Sequence, residues 1–207
     1  MTFDQRLEHH FSTPVLIQTH EGLEALNQSL LHQIEALKAA SKNAADDPLN
    51  TTQGGFQSSP DVSYLDTDHP SITSLRGEII WPAIETYLIE ALQVDPLFTP
   101  LTLSSWVVCL ESGDWQAPHI HPTEYGVISG IYYVEVPGLP EPQGCLEFIN
   151  PNLNAVMLGN QDASRRHRPT AGQVILFPPY YMHYVHPLKE EAKRTVVAFD
   201  VKLTANR

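Results

Sequence analysis

Ten histidines and two cysteines stand among the 207 residues, and two of the histidines form a His-x-His pair at His119 and His121. On an extended strand, residues i and i+2 project from one face, so the two imidazoles can be presented to a single metal ion. A third histidine, His183, follows 62 positions later, after an apolar run ending Phe177-Pro178-Pro179. Imidazole nitrogen suits zinc, copper, nickel and iron, which makes redox or hydrolytic metal chemistry the natural reading of such a set. Eleven positions beyond His183 comes Arg194, which opens a β-rich run. A fixed, permanently charged guanidinium is the bidentate partner that a carboxylate-bearing co-substrate requires.

Composition narrows the remaining classes. Acidic residues outnumber basic ones 24 to 12, for a formal charge of -12. A general nucleic-acid or anionic-membrane binder carries the opposite sign. The first ten residues contain no basic stretch leading into an apolar core, and no apolar run approaches membrane length. The expectation is a cytoplasmic chain with Cys109 and Cys145 as small buried hydrophobes.

The elements that must position these groups fall into two halves, within a length that suits one domain, residues 1–207. Residues 1–100 are mainly helical. Leu23, Leu26, Leu30, Ile34 and Leu37 stripe a helix within Glu21 to Lys42. Leu75, Ile79, Ile80, Ile84, Leu88 and Leu92 stripe a second, from an N-cap at Ser71 to about Val94, with Pro82 kinking it or starting a new helix at Trp81. Lys42 to Pro70 reads as loop, forming part of a substrate-facing edge. Residues 101–207 alternate short β-rich runs with Gly and Pro clusters: Trp106–Leu110, Val127–Val136, Gly144–Ile149, Gln173–Phe177 and Thr195–Leu203, with Val15–Gln18 as an added strand. The fold class is α+β, an antiparallel sandwich or barrel with the N-terminal helices packed on one sheet.

The order His119-x-His121-Pro122, Ser129-Gly130-Ile131-Tyr132-Tyr133, Pro169-x-x-Gly172, Phe177-Pro178, His183 and Arg194 resembles the 2-oxoglutarate/Fe(II)-dependent oxygenases. More narrowly it resembles a bacterial-type branch similar to the prolyl hydroxylases, and Gly54-Gly55-Phe56-Gln57-Ser58 looks like a short motif of the same branch. The resemblance covers Trp106 to Val201. It implies a double-stranded β-helix, a jelly roll of the kind cupins also use. It implies Fe(II) at His119, His121 and His183, and 2-oxoglutarate held by Arg194 and Tyr133, with Ser129 on the same strand face. The implied reaction hydroxylates an unknown small-molecule or peptide substrate while 2-oxoglutarate becomes succinate.

One position departs from the pattern. His121 stands where most of the superfamily has a carboxylate, which leaves the ferrous site one charge unit more positive. Three readings stay open: all three histidines bind; one of the pair is an outer-shell group, with water or Glu124 completing the site; or the pair is structural. His186 competes with His183, but on a strand only one of the two can face inward. His9, His10, His20, His32 and His69 read as solvated surface residues. Arg165-Arg166-His167-Arg168 reads as a solvated loop or, through Arg166, as a clamp for an acidic substrate group; Trp115 and Tyr181 join Arg166 as candidates to line the mouth. Two other functions fit the residues: a cupin-type metal protein that does not use 2-oxoglutarate, and a non-enzymatic metal-binding module. A homodimer through the amphipathic helices is also open.

Overall fold

Two antiparallel sheets face each other in the computed structural model, which describes residues 12–122, 126–152 and 162–204. In chain order the strands are β1 (Leu16–Thr19), β2 (Thr52–Gln53), β3 (Phe56–Gln57), β4 (Leu101–Leu110), β5 (Trp115–His119), β6 (Gly126–Glu135), β7 (Leu146–Ile149), β8 (Ser164–His167), β9 (Gln173–Phe177), β10 (His183–Val185) and β11 (Arg194–Leu203). The larger sheet has the order β1-β9-β6-β11-β4-β3 and the smaller β2-β5-β10-β7-β8. Consecutive strands alternate between the sheets through much of the second half, which is the jelly-roll connection of a double-stranded β-helix.

Alternation along β11 explains why it sits near the centre of the larger sheet. Val197, Phe199 and Val201 point to the helical side, where they meet Leu30, Ile34, Ile80, Ile84 and Leu88. Val196 points to the other side, into a second apolar cluster with Val108, Ile131, Phe148 and Phe177 between the sheets. A strand buried on both faces must be apolar at nearly every position, so the polar residues it does carry stand out. The buried ones are Arg194, Thr195 and Asp200, and Lys202 near the strand's end is half-buried.

The helices cover the larger sheet, as expected. α1 (Glu24–Ala40) lies within the predicted span, and Asn27 on it accepts a hydrogen bond from the Tyr132 hydroxyl of β6 at 2.6 Å. α2 (Pro70–Ser74) passes through a π-helical turn, Leu75–Ile80, into α3 (Trp81–Glu90). Pro82 sits in the first turn of α3, where a missing N–H costs nothing, and the wide turn before it absorbs the misfit. The cap differs from expectation. His69, not Ser71, closes the start of α2: its Nδ1 accepts from the Ser71 N–H at 3.3 Å, and Pro70 follows at the first helical position.

Three short strands lie where sequence periodicity is too brief to show them. β2 joins the smaller sheet and β3 the larger, so Gly54-Gly55 carries the chain from one sheet to the other. Gly54 has a φ of 72° and Gly55 a φ of 64°. A Cβ on Gly55 would lie 2.4 Å from the Cys109 carbonyl oxygen, so only glycine fits this crossing. The basic run expected as loop is instead β8, at the edge of the smaller sheet, where its alternate residues find partners on β7.

Candidate metal centre and carboxylate pocket

The pairing of β5 with β10 sets His119 directly opposite His183. Residues opposite each other on antiparallel strands have side chains within contact reach. The two ring centres are 4.3 Å apart. His121 lies just past the end of β5, so strand alternation alone does not place it. Its N–H donates to the Pro179 carbonyl at 2.9 Å, which ties it to the segment leading into β10. Its ring centre lies 5.4 Å from that of His119 and 5.2 Å from that of His183. One nitrogen from each of the three rings falls within 4.8 Å of the others.

Hydrogen bonding fixes which nitrogens face one another. His119 Nδ1 is 2.7 Å from the Ala117 carbonyl, and His183 Nδ1 is 2.9 Å from the Tyr181 carbonyl. His121 Nδ1 is 2.7 Å from Oδ1 of Asp200. A carbonyl and an ionised carboxylate only accept, so each Nδ1 carries the proton and each Nε2 keeps its lone pair. Burial pushes His119 down to about 4 and His183 well below its ordinary value, the latter aided by the neighbouring imidazoles. All three rings are thus oriented by an outer hydrogen bond, the arrangement common to metal-binding histidines.

Arg194 is fully buried, and none of its three guanidinium nitrogens has a hydrogen-bond partner. No carboxylate among the described residues forms an ion pair with it. Its closest aromatic neighbour is Tyr133, whose ring centre is 5.1 Å from the guanidinium carbon and whose hydroxyl is likewise buried and unpartnered. Burial drives the Arg194 proton affinity down and that of Tyr133 up, with the cation partly offsetting the latter. A buried, unpaired cation is costly, and its cost is relieved by an anion. The donor set therefore fits a carboxylate.

The three imidazoles and Arg194 open on one cavity of about 400 Å³, and Tyr133 is not among its lining residues. One wall is the inner face of β11, with Arg194, Val196, Ala198, Asp200 and Lys202 at alternate positions. Trp106 and Val108 of β4 and Ile131 of β6, the strands on either side of β11, extend that wall, and the three histidines also line the cavity. Thr51, Gln57, Pro60 and Asp61, from the segment read as a substrate-facing edge, complete it.

Residues 104–200 match the family model described as "Putative 2OG-Fe(II) oxygenase". That match spans just under half of the chain. No curated protein matches the sequence significantly. Among solved structures, a Pseudomonas putida prolyl-4-hydroxylase is similar with a TM-score of 0.68 at 13% identity, covering 94% of this chain and 95% of that one. A Trichoplax adhaerens prolyl hydroxylase, solved with a hypoxia inducible factor oxygen degradation domain peptide fragment, has a TM-score of 0.62 at 15% identity, over 91% and 83% of the chains. HygX from Streptomyces hygroscopicus, solved with nickel, 2-oxoglutarate and hygromycin B, has a TM-score of 0.61 at 12% identity, over 93% and 84%. At such identities the likeness is one of fold, and the fold is the oxygenase double-stranded β-helix.

The oxygenase core distributes the other sequence candidates differently. Ser129 donates to Asp200 Oδ1 at 2.7 Å, behind His121, and does not line the cavity. Arg166, Trp115 and Tyr181 do not line it either. Arg166 Nε donates to Glu147 at 2.9 Å on the outer face of the smaller sheet, and the Tyr181 ring stacks on Phe148 at 4.6 Å. Trp115 is on the same strand as His119, four positions away and partly exposed. His186 is turned away from the cluster, its Nε2 2.6 Å from Glu147. His9, His10 and Glu124 lie outside the described residues. Cys109 and Cys145 are both buried thiols.

Asp200, Trp106, Gln116 and Lys202 were not anticipated as parts of the site. A signal for two of them was present: Asp200 and Lys202 are six and eight positions beyond Arg194, so strand parity puts all three on one face. Among the described residues no helix is long and apolar enough to cross a membrane.

Proposed function

We propose that the chain is a 2-oxoglutarate- and iron(II)-dependent hydroxylase acting on a small molecule or a peptide side chain. His119, His121 and His183 hold the metal through Nε2, and Arg194 with Tyr133 holds the distal carboxylate of 2-oxoglutarate. Iron(II) and 2-oxoglutarate, when bound, supply the oxidising power from dioxygen, with succinate and carbon dioxide as by-products. The protein's part is positional. Val108, Ile131, Val196 and Ala198 keep the interior of the cavity apolar, which excludes water around the reacting centre. Gln57, Asp61, Gln116 and Lys202 offer polar contacts to an acceptor.

The observation that carries this reading is the fully buried guanidinium of Arg194, without a partner, on the cavity that the three imidazoles share. A cupin-type protein without 2-oxoglutarate, or a plain metal-binding module, gives that cation nothing to do. The peptide fragment and the hygromycin B in the two structures named above support both acceptor classes.

Anaerobic titration with iron(II), with and without 2-oxoglutarate, tests the proposal. A visible charge-transfer band that needs both additions is the expected result, and succinate should form once oxygen and an acceptor are supplied. Tight metal binding with no 2-oxoglutarate binding by calorimetry would return the chain to the cupin reading.

A further inference from the structure

Three imidazole ligands bring no negative charge to a divalent ion, whereas two histidines and a carboxylate bring one. A carboxylate is nevertheless present, one group further out. Asp200 is buried, and its Oδ1 accepts from His121 Nδ1–H at 2.7 Å and from the Ser129 hydroxyl at 2.7 Å. No lysine or arginine among the described residues pairs with Asp200, and His121 is its sole ionisable partner. Arg194 cannot serve: six positions away on an extended strand, it is roughly 20 Å distant. Asp200 is thus a buried carboxyl group hydrogen-bonded to a candidate metal ligand, and a cation held by that ligand stabilises its charge.

We infer that Asp200 supplies, through His121, the negative charge that a directly bound carboxylate supplies in the two-histidine, one-carboxylate sites. It is a positioning and charge-compensating residue. His119 and His183 lean on backbone carbonyls, so only His121, at the position where the carboxylate is absent, is backed by an anion. The hydrogen bond polarises the His121 ring and raises the basicity of its Nε2. Ser129 holds Asp200 in place, which gives this serine a role other than contact with 2-oxoglutarate.

The inference rests on the proposed metal site and is tested by metal affinity rather than turnover. Metal-stripped full-length protein is titrated anaerobically with iron(II) by calorimetry. Asp200→Asn keeps the size of the side chain and removes the charge, and its affinity should fall about 10- to 100-fold. Adding His121→Asp to that variant returns the charge to the ligand position, and affinity should recover to within about twofold of wild type. A residue that is only structural would show no such rescue, because the double variant restores neither the Asp200 carboxylate nor its hydrogen bond with His121. In the iron(II)–2-oxoglutarate form of Asp200→Asn, a less electron-rich metal should move the charge-transfer band to shorter wavelength. Wild-type affinity in Asp200→Asn, or no recovery in the double variant, overturns the inference alone. If Asp200→Asn does not fold, the double variant decides by the same criterion. Failure of the wild type to bind iron(II) removes the proposed function and this inference together.

Discussion

The guanidinium carbon of Arg194 lies 5.1 Å from the centre of the Tyr133 ring, and the polar end of neither side chain has a partner. The two face each other across β11 and β6, where Tyr133 pairs with Val196 beside an irregularity in the register. That irregularity lets a tyrosine and an arginine at non-adjacent positions meet in the buried interior, where Arg194 lines the cavity. The pocket is strained electrostatically until an anion enters it, and two predictions follow from that state.

Arg194→Met should separate binding from stability. Loss of the cation should weaken 2-oxoglutarate binding by roughly 30-fold or more, from about 2 kcal/mol or above for a truncated buried charge pair. Without 2-oxoglutarate, an apolar side chain of similar volume relieves an unpaired buried charge, so the thermal midpoint of the metal-free protein should hold or rise. Calorimetry with 2-oxoglutarate and thermal unfolding check the two halves. A sharp fall in the midpoint would mean that Arg194 is paired in the protein.

Tyr133→Phe removes one neutral hydroxyl. Affinity for 2-oxoglutarate should fall by roughly 5- to 10-fold, about 1 kcal/mol for one hydrogen bond. The midpoint of the free protein should change little, because that hydroxyl has no partner to lose. An unaltered affinity would take Tyr133 out of the pocket.

His183→Ala should abolish stoichiometric binding of iron(II), since two imidazoles remain of three. The wild type should gain stability from the metal in proportion to the logarithm of its concentration, and the variant should not. Thermal unfolding across a metal titration reads both. An equal gain in each would place the metal elsewhere.

Acid should unfold the metal-free protein in two stages. His119, held down to about 4 by burial, and His183, held lower still, are neutral in the fold, while the unfolded chain binds protons below the ordinary histidine value of 6.5. The unfolded state then holds more protons, so stability falls as pH drops from about 6.5 toward 4. Glu147 has the opposite origin and the same direction. Burial would raise it, but hydrogen bonds from Ser164, His186 and Arg166 outweigh that and bring it to about 2. Its contribution is complete above 4.5 and is lost as pH falls toward 2. Unfolding midpoints measured from pH 8 to 3 should be level above 7 and then decline. His119→Asn should flatten the portion between 6.5 and 4. A wild-type curve level down to pH 5 would contradict neutral, buried histidines.

Gly130→Ala tests how closely the larger sheet packs. A Cβ there would lie 2.2 Å from the Phe199 ring and 2.6 Å from a Leu176 methyl, both in the buried core. Overpacking of this kind typically costs about 1–3 kcal/mol, so the denaturation midpoint should drop while the cooperativity of unfolding is kept. No drop would mean that Phe199 moves aside freely.

The sequence by itself determined the elements and the chemical types. The periodicities of α1 and of the β9 and β11 runs are strong because each element meets apolar neighbours along its whole length, and those spans agree closely with the structure. The choice of His183 over His186 followed from motif spacing, and the structure turns His186 toward Glu147. The tertiary structure alone decided what surrounds each group. β2, β3 and β8 are too short to carry a period, and pairing with a longer neighbour defines them. Arg166 looked like a free clamp because a run of basic residues does not reveal a partner 19 positions earlier on β7. Strand parity could put Asp200 on the face of Arg194, but not its partner, because His121 is 79 positions away in the chain and is brought to 2.7 Å by the closing of one sheet over the other. Local interactions are written in order along a chain. The balance of charge inside a cavity belongs to residues from many strands and exists only once they have come together.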